Sequence, residues 1–309
     1  MTLASNEGAS RFAGGVGLTA LLVAAARAVE THHPQGLVAD PFAESFVRSA
    51  DTPVGLPTRI EDVEGGDNDP VWGRGGQYFA LRTRVFDDFL TSANHDDGIR
   101  QVVLLGAGLD TRALRSTWQP GTVVYEVDRP DVFSFKREVL SSLGAVAIAP
   151  VAHRFVVVDL EGNWADALTA RGFDRHRPTA WVIEGVLPYL PAETERRLIA
   201  TVIDLSAVGS RIAYEILQDQ ETEKVRNSSI YDDTEAKMGV HLSGLFSPDA
   251  RPDSARDLGA AGWSVSSESV YRYTEQYGRG PKPGVNDAIS HARWVMGRRT
   301  TDCAYHSLV

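Results

Sequence analysis

The chain has 309 residues, 43% hydrophobic and 23% charged, close to the globular average, which excludes a disordered, collagen-like or coiled-coil protein. Lys and Arg number 31 against 41 Asp and Glu, a net charge of −10, so it lacks the basic footprint of a general nucleic-acid binder or of a protein held on an anionic membrane. The one cysteine, Cys303, excludes an intramolecular disulfide and a cysteine-rich zinc site.

Residues 17–28, GLTALLVAAARA, form the first apolar run. It is about half of the ~20 residues that a membrane span needs. Glu7 beside Arg11 upstream, and Arg27 and Glu30 directly behind, read it as an amphipathic helix over about 19–30 rather than a cleaved signal, which predicts a cytoplasmic protein. A second helix is expected to start near Pro41, because proline suits a first helical turn. Residues 51–70, rich in Pro, Gly and Asp, read as an exposed loop. Tyr78, Phe79, Leu81, Val85, Phe86, Phe89 and Leu90 then share one face at helical spacing. Residues 1–98 are therefore expected to be a helical N-terminal region.

From residue 100 the texture changes. QVVLLGAG (101–108), TVVYEVD (122–128), RFVVVD (154–159), AWVIEG (180–185) and RIAYEI (211–216) are short apolar runs, the pattern of parallel strands buried on both faces. Helical spacing lies between them, clearest over 193–205. The rhythm predicts an α/β fold, a doubly wound, mostly parallel sheet of Rossmann-like form over residues 99–309. A polar insertion at about 217–255 is expected to lie over the sheet as a lid, with GWSV and ARWVMGRR supplying the last strands.

In such sheets ligands bind beyond the carboxyl ends of the strands, near the switch point. Four successive predicted strands end in Gly106-Ala107-Gly108, Glu126-Val127-Asp128, Asp159-Leu160 and Glu184-Gly185. Glycines permit a tight turn and close backbone approach, although a bare G-x-G also serves as a structural turn. Asp128 lies 128 − 106 = 22 residues beyond Gly106, near the ~20-residue spacing at which an acid holds a ribose diol. Thr111 replaces the third glycine of the dinucleotide fingerprint. Together with the crowd of acids Glu126, Asp128, Asp159 and Glu184, that disfavours a pyrophosphate and suits a cationic nucleoside such as S-adenosylmethionine. Arg82 or Arg84 could then bind its carboxylate.

The segments LTALLVAAARAVE, ADPFAESF, ALRTRVFDDFL, VVLLGAGLDTRALR, VVYEVDRPDVFSFK, VVVDL and WVIEGVLPYL sample residues 18 to 190. In order and spacing they resemble the leucine carboxyl methyltransferase-like family, particularly its bacterial secondary-metabolite branch. The resemblance implies that Arg82, with Arg84 as the alternate, holds the methionine carboxylate. By the same resemblance Gly106, Ala107 and Gly108 form the cofactor loop, and Asp128 binds the ribose. Asp159 and Leu160 hold the adenine, Glu184 lies beneath the methionyl amino group, and Arg27 is a candidate for a basic N-terminal residue. Tyr189 stands where the family places an aromatic that touches the acceptor or caps the core.

The expected reaction is direct methyl transfer to a small-molecule acceptor, at a carboxylate or hydroxyl oxygen of a secondary metabolite, with no nucleic-acid or membrane partner. A hydroxyl needs a base, for which His241 in the insertion is a candidate or a plain surface residue. His32-His33 reads as surface rather than as a metal site. Two alternatives remain: a nicotinamide-dependent oxidoreductase on a similar sheet, and a non-catalytic protein that retains the cofactor pocket.

Overall fold

The computed structural model describes residues 16–52, 54–145, 150–285 and 287–301; Glu7, Arg11 and Cys303 lie outside them. The first helix, α1 (Val16–His32), is followed by α2 (Ala43–Ser49), and α3 (Gly76–His95) leads into the sheet. A single turn of π-helix, Pro70–Gly75, precedes α3.

Strands β1 (Gln101–Leu105), β2 (Val123–Asp128), β3 (Ala152–Val157), β4 (Thr179–Ile183), β5 (Arg211–Leu217), β6 (Trp263–Ser269) and β7 (Ala292–Arg299) form one sheet in the order β3-β2-β1-β4-β5-β7-β6. The first five strands pair in parallel, and β7 runs antiparallel to both β5 and β6. The winding starts at β1, moves outward through β2 to β3, then returns to β4 on the other side of β1. The crevice between β1 and β4 is thus the switch point. The connections carry α4 (Arg112–Arg115), α5 (Pro130–Ser142), α6 (Trp164–Ala170) and α7 (Ala192–Leu205). Beyond β5 come α8 (Glu223–Arg226), α9 (Ser229–Met238), α10 (Ser254–Ala260) and α11 (Val270–Tyr277).

Alternation along the strands makes two cores. Val102 and Leu104 of β1 pack with Leu81, Phe86 and Phe89 of α3, while Val103 and Leu105 pack with Leu168 of α6 and Leu198 and Val202 of α7. All five residues of β1 and of β4 are buried, as strands covered on both faces require. A third cluster fastens α1 and α2 to α5 through Leu21, Ala25, Phe46, Phe135 and Leu140. Each buried Leu, Val or Phe among these is worth about 1.5–3 kcal/mol relative to exposure.

Three sequence expectations need correction. The third strand runs over Ala152–Val157 rather than 154–159, because β3 is an edge strand and ends where its partner does, at the Asp128–Val157 pair. The fourth stops at Ile183, since Gly185 with φ +65° turns the chain away. Residues 51–70 are not simply an exposed loop: Thr58, Val63 and Asp69 are buried. The Asp69 carboxylate caps the following turn by accepting from Val71 N at 2.9 Å and Trp72 N at 2.7 Å, and it pairs with Lys237 of α9.

Candidate active site

A cavity of about 280 Å³ opens over the carboxyl ends of β1, β2 and β4 and the loop after β3, with α1 closing one side. Its floor is the loop after β1. Gly106 and Gly108 have φ of +67° and +50°, and a Cβ on Gly106 would lie 2.4 Å from Val186 Cγ2, so only glycine fits there. Gly106 N and Ala107 N donate to Val127 O at 2.9 and 3.2 Å, which ties the loop to β2.

Asp128 ends β2 and reaches back over that loop. Its Oδ2 accepts from Gly108 N at 2.6 Å and its Oδ1 from Arg129 N at 2.7 Å. Burial pushes the carboxyl above its ordinary value, against the pull of those two backbone N–H groups. Asp159 and Leu160 line the cavity from the loop after β3. Asp159 is exposed, and its Oδ1 accepts from Glu161 N at 2.9 Å.

Beyond β4, Glu184 sits between two arginines. Arg82 of α3 donates from Nε to Glu184 Oε1 at 2.9 Å, and Arg112 of α4 donates from Nη1 to Glu184 Oε2 at 2.8 Å. Burial alone would raise this carboxyl, but Arg112 and Arg82 outweigh it and hold it below the usual value. Arg82 also donates from Nη1 to Glu215 Oε2 at 2.7 Å and lies over the Phe79 ring at 5.1 Å. The backbone at Gly185 makes room for it, since a Cβ there would come within 3.2 Å of Nη1. Arg84 points elsewhere, to Asp88 at 3.0 Å beside the Tyr277 ring, so of the two candidates Arg82 alone lines the cavity. Arg27 lines it too, held by Asp40 at 2.8 Å and Leu109 O at 2.7 Å.

Four groups escaped the sequence reading: Arg112, Asp110, Asp87 and Glu215. Arg112 is fully buried, donates to Asp87 at 2.6 Å and pairs with Asp110. Burial would raise the Asp110 carboxyl, yet Arg112, helped by Lys136 and Arg115, brings it down to about 2. The position of Arg112 directly behind the glycine loop was a usable signal, and so was a lone acid, Glu215, inside the apolar run of β5.

Glu126, expected among the cavity acids, is not one of them. It shares a face of β2 with Asp128 but lies two residues, about 7 Å, further down the strand. There α5 covers the sheet and Lys136 bonds Glu126 at 2.6 Å, with His153 at 3.1 Å. His241 lines neither cavity described here; it pairs with Glu235 at 2.6 Å on the surface. His32 and His33 turn to different partners, Glu44 and Asp67, both at 3.2 Å. Among the described residues no group of three or more His, Cys, Asp or Glu could hold a metal, and no helix is long and apolar enough to cross a membrane.

Tyr189 follows β4 in the short turn Leu187–Tyr189, with its ring 5.3 Å from Phe246 and its hydroxyl bonded to Thr19. It forms part of the boundary with a second, mostly apolar cavity of about 130 Å³, walled by the turn before α3 and by residues of α9 and the segment 242–246. Leu22, Phe79, Arg82, Gly185, Tyr189 and Leu242 line both cavities.

A sheet wound in this order, with an acid-rich cavity at its switch point, has the layout of an α/β enzyme that binds its ligand beyond the strand ends. Residues 20–203 match the leucine carboxyl methyltransferase family. A Streptomyces coelicolor protein named "Putative S-adenosyl-L-methionine-dependent methyltransferase" is 50% identical, over 93% of this chain and 94% of its own length. A Saccharopolyspora erythraea protein of the same description is 43% identical, over 83% of this chain and 86% of its own. In fold, the chain is similar to the crystal structure of a duf574 family protein from Streptomyces avermitilis. The TM-score is 0.50 at 16% identity, covering 88% of this chain and 98% of that one. The chain belongs to the leucine carboxyl methyltransferase family and is an S-adenosylmethionine-dependent methyltransferase.

Proposed function

We propose that the first cavity holds S-adenosylmethionine and that the enzyme methylates an oxygen of a small-molecule acceptor. The lining supports this. Five carboxylates (Asp110, Asp128, Asp159, Glu161 and Glu184) face three guanidinium groups (Arg27, Arg82 and Arg129), a balance suited to a ligand with two positive centres and one carboxylate. The absence of a side chain at Gly106 lets the loop pack against Val186, whose Cγ2 a Cβ there would meet at 2.4 Å, and leaves backbone at the cavity floor.

In this reading Asp128 accepts from the ribose hydroxyls, while Gly106, Ala107 and Gly108 let the nucleoside lie against the backbone. Asp159 and Leu160 meet the adenine at the rim. Glu184 faces the ammonium, and Arg82, which has five N–H donors and uses two on Glu184 and Glu215, turns others to the carboxylate. When bound, S-adenosylmethionine supplies a methyl group on a positively charged sulfur. The protein's part is chiefly to orient two reactants and exclude water, a contribution that reaches effective molarities of about 10⁵–10⁸ M in favourable cases. Tyr189, set between the two cavities, contacts the acceptor, and the insertion at about 217–255 forms the lid above it; the described part of residues 1–98 forms a helical cap and that of 99–309 the core. A small-molecule acceptor fits a soluble protein of the cytoplasm acting in secondary metabolism.

The placement of Asp128 at the tip of β2, over the glycine loop, carries this proposal. Asp128→Ala removes a charged hydrogen-bond partner worth about 1.5–3 kcal/mol. Calorimetric titration with S-adenosylhomocysteine should show binding at least roughly tenfold weaker while the unfolding transition stays cooperative. Unchanged affinity in the folded variant rules out the ribose assignment.

A further inference from the structure

The second cavity carries chemistry that the cofactor does not use. We infer that it binds the methyl acceptor, and that this acceptor is an uncharged single-ring aromatic compound that presents a hydroxyl to Glu215. The inference rests on the first cavity holding the methyl donor.

Three observations lead there. The walls are aromatic: Trp72, Tyr78, Phe79, Tyr189, Tyr231 and Phe246 all face the space, which favours a flat ring packed edge or face against them. The volume is about 130 Å³, close to the apolar cavity of about 150 Å³ that takes one benzene. The charged side chains lining it are Arg82 and Glu215. Arg82 already bonds Glu184 and Glu215 and, in the proposed reading, the cofactor carboxylate, so an acceptor carboxylate would bring a fourth acid to one guanidinium in a dry space. A hydroxyl has no such difficulty. It can donate to Glu215, which lies two residues before the end of β5 and lines the second cavity, bonded to Arg82 and to the Gly185 backbone, two residues that line both cavities.

The same carboxylate completes the proton balance. The hydroxyl proton passes to Glu215, the oxygen lone pair forms the new O–CH₃ bond, and the S–CH₃ bond breaks with its electron pair left on sulfur. Burial pushes the Glu215 carboxyl up to about 8, so the form that takes the proton is the ionised one beside Arg82, populated as the pH rises through that value. A phenol ionises at about 10, which leaves the ionised carboxylate within roughly two units of the proton it accepts.

The test uses 4-methylphenol and benzoate as probes, titrated by ligand-observed NMR into the full chain saturated with S-adenosylhomocysteine. The wild type should bind 4-methylphenol saturably and benzoate at least tenfold more weakly. Ile230→Trp, which fills the cavity, should abolish 4-methylphenol binding while S-adenosylhomocysteine binding persists; Thr234→Phe replaces it if the first variant lacks a cooperative unfolding transition. Glu215→Gln should retain ring binding but lose the tenfold preference, a change that a purely structural role would not produce. Equal or tighter binding of benzoate to the wild type, binding unaffected by the filled cavity, or an unaltered preference in Glu215→Gln overturns the inference. Failure of the wild type to bind S-adenosylhomocysteine would instead remove the cofactor assignment beneath it.

Discussion

The first cavity is made by strand tips and the second by a patchwork. Around the first, Gly106, Asp128 and Glu184 each follow directly on a strand or close its last position, and Asp159 lies two residues past β3, so their spacing is set largely by the 4.7–4.9 Å separation of neighbouring strands. Around the second, Val71 and Trp72 come from the turn before α3, Ile230 and Thr234 from α9, Leu242 and Phe246 from the next loop, and Ile289 from just before β7. The rigid sheet fixes charges with a defined geometry, whereas loops and short helices supply an apolar surface whose shape depends on how they pack. In the proposed reading cofactor recognition uses the first kind of wall and acceptor choice the second, where changes do not disturb the sheet.

Variants can break or sharpen that contrast. The largest effect is expected beneath the charged cavity. Arg112→Met leaves Asp110 without its paired cation and takes one of two guanidinium partners from Asp87, which keeps Arg115, and from Glu184, which keeps Arg82; breaking a buried charged network of this kind costs about 3–5 kcal/mol. Urea unfolding should show that loss; a loss below 1 kcal/mol would mean that the network is not what holds the strand tips together.

Acid provides the next measurement. The Asp110 carboxyl is depressed from 3.8 to about 2 by Arg112, Lys136 and Arg115 acting against burial. A group lowered on folding adds stability that is complete above its unfolded value and disappears as the pH falls through the folded one. Here that window runs from about 4 down to about 2 and is worth on the order of 2 kcal/mol. Unfolding free energies measured across it should fall less steeply in Asp110→Asn than in the parent, and identical slopes would reject the assignment.

The two arginines of the ALRTR segment give the finest comparison. Arg82→Ala should weaken S-adenosylhomocysteine about tenfold or more, at the low end of what a charged hydrogen bond contributes. Arg84→Ala, which removes an exposed pair with Asp88, should leave affinity unchanged and stability within about 1 kcal/mol. Equal effects of the two on affinity would undo the placement of Arg82 at the cavity.

Much of the first cavity was legible before folding was considered. The first four apolar strand runs each end in a residue of distinctive chemistry, and in a parallel sheet all such ends face the same way. Glu126 shows the limit of that logic. The EVD segment offers two acids of one face, and only the depth at which α5 covers β2 decides that Lys136 takes the first and leaves the second at the cavity. Arg82 and Arg84 are likewise two residues apart on one helix, about 200° around its axis, so they point to opposite sides. The α3 face that packs on the sheet settles which enters the site.

The amino-acid order by itself determined the alternating α/β layout, the glycine loop and the acids at the strand ends, because periodicity and turn chemistry act over a few residues at a time. The second cavity and the network joining Arg82, Arg112, Glu184 and Glu215 required the folded chain. Their members come together across 102 and 133 positions of sequence, as in the Arg82 bonds to Glu184 and Glu215, and no local pattern records such a meeting. Only packing a helix from before the sheet against the tips of β4 and β5 brings those charges within bonding distance and leaves an apolar space beside them.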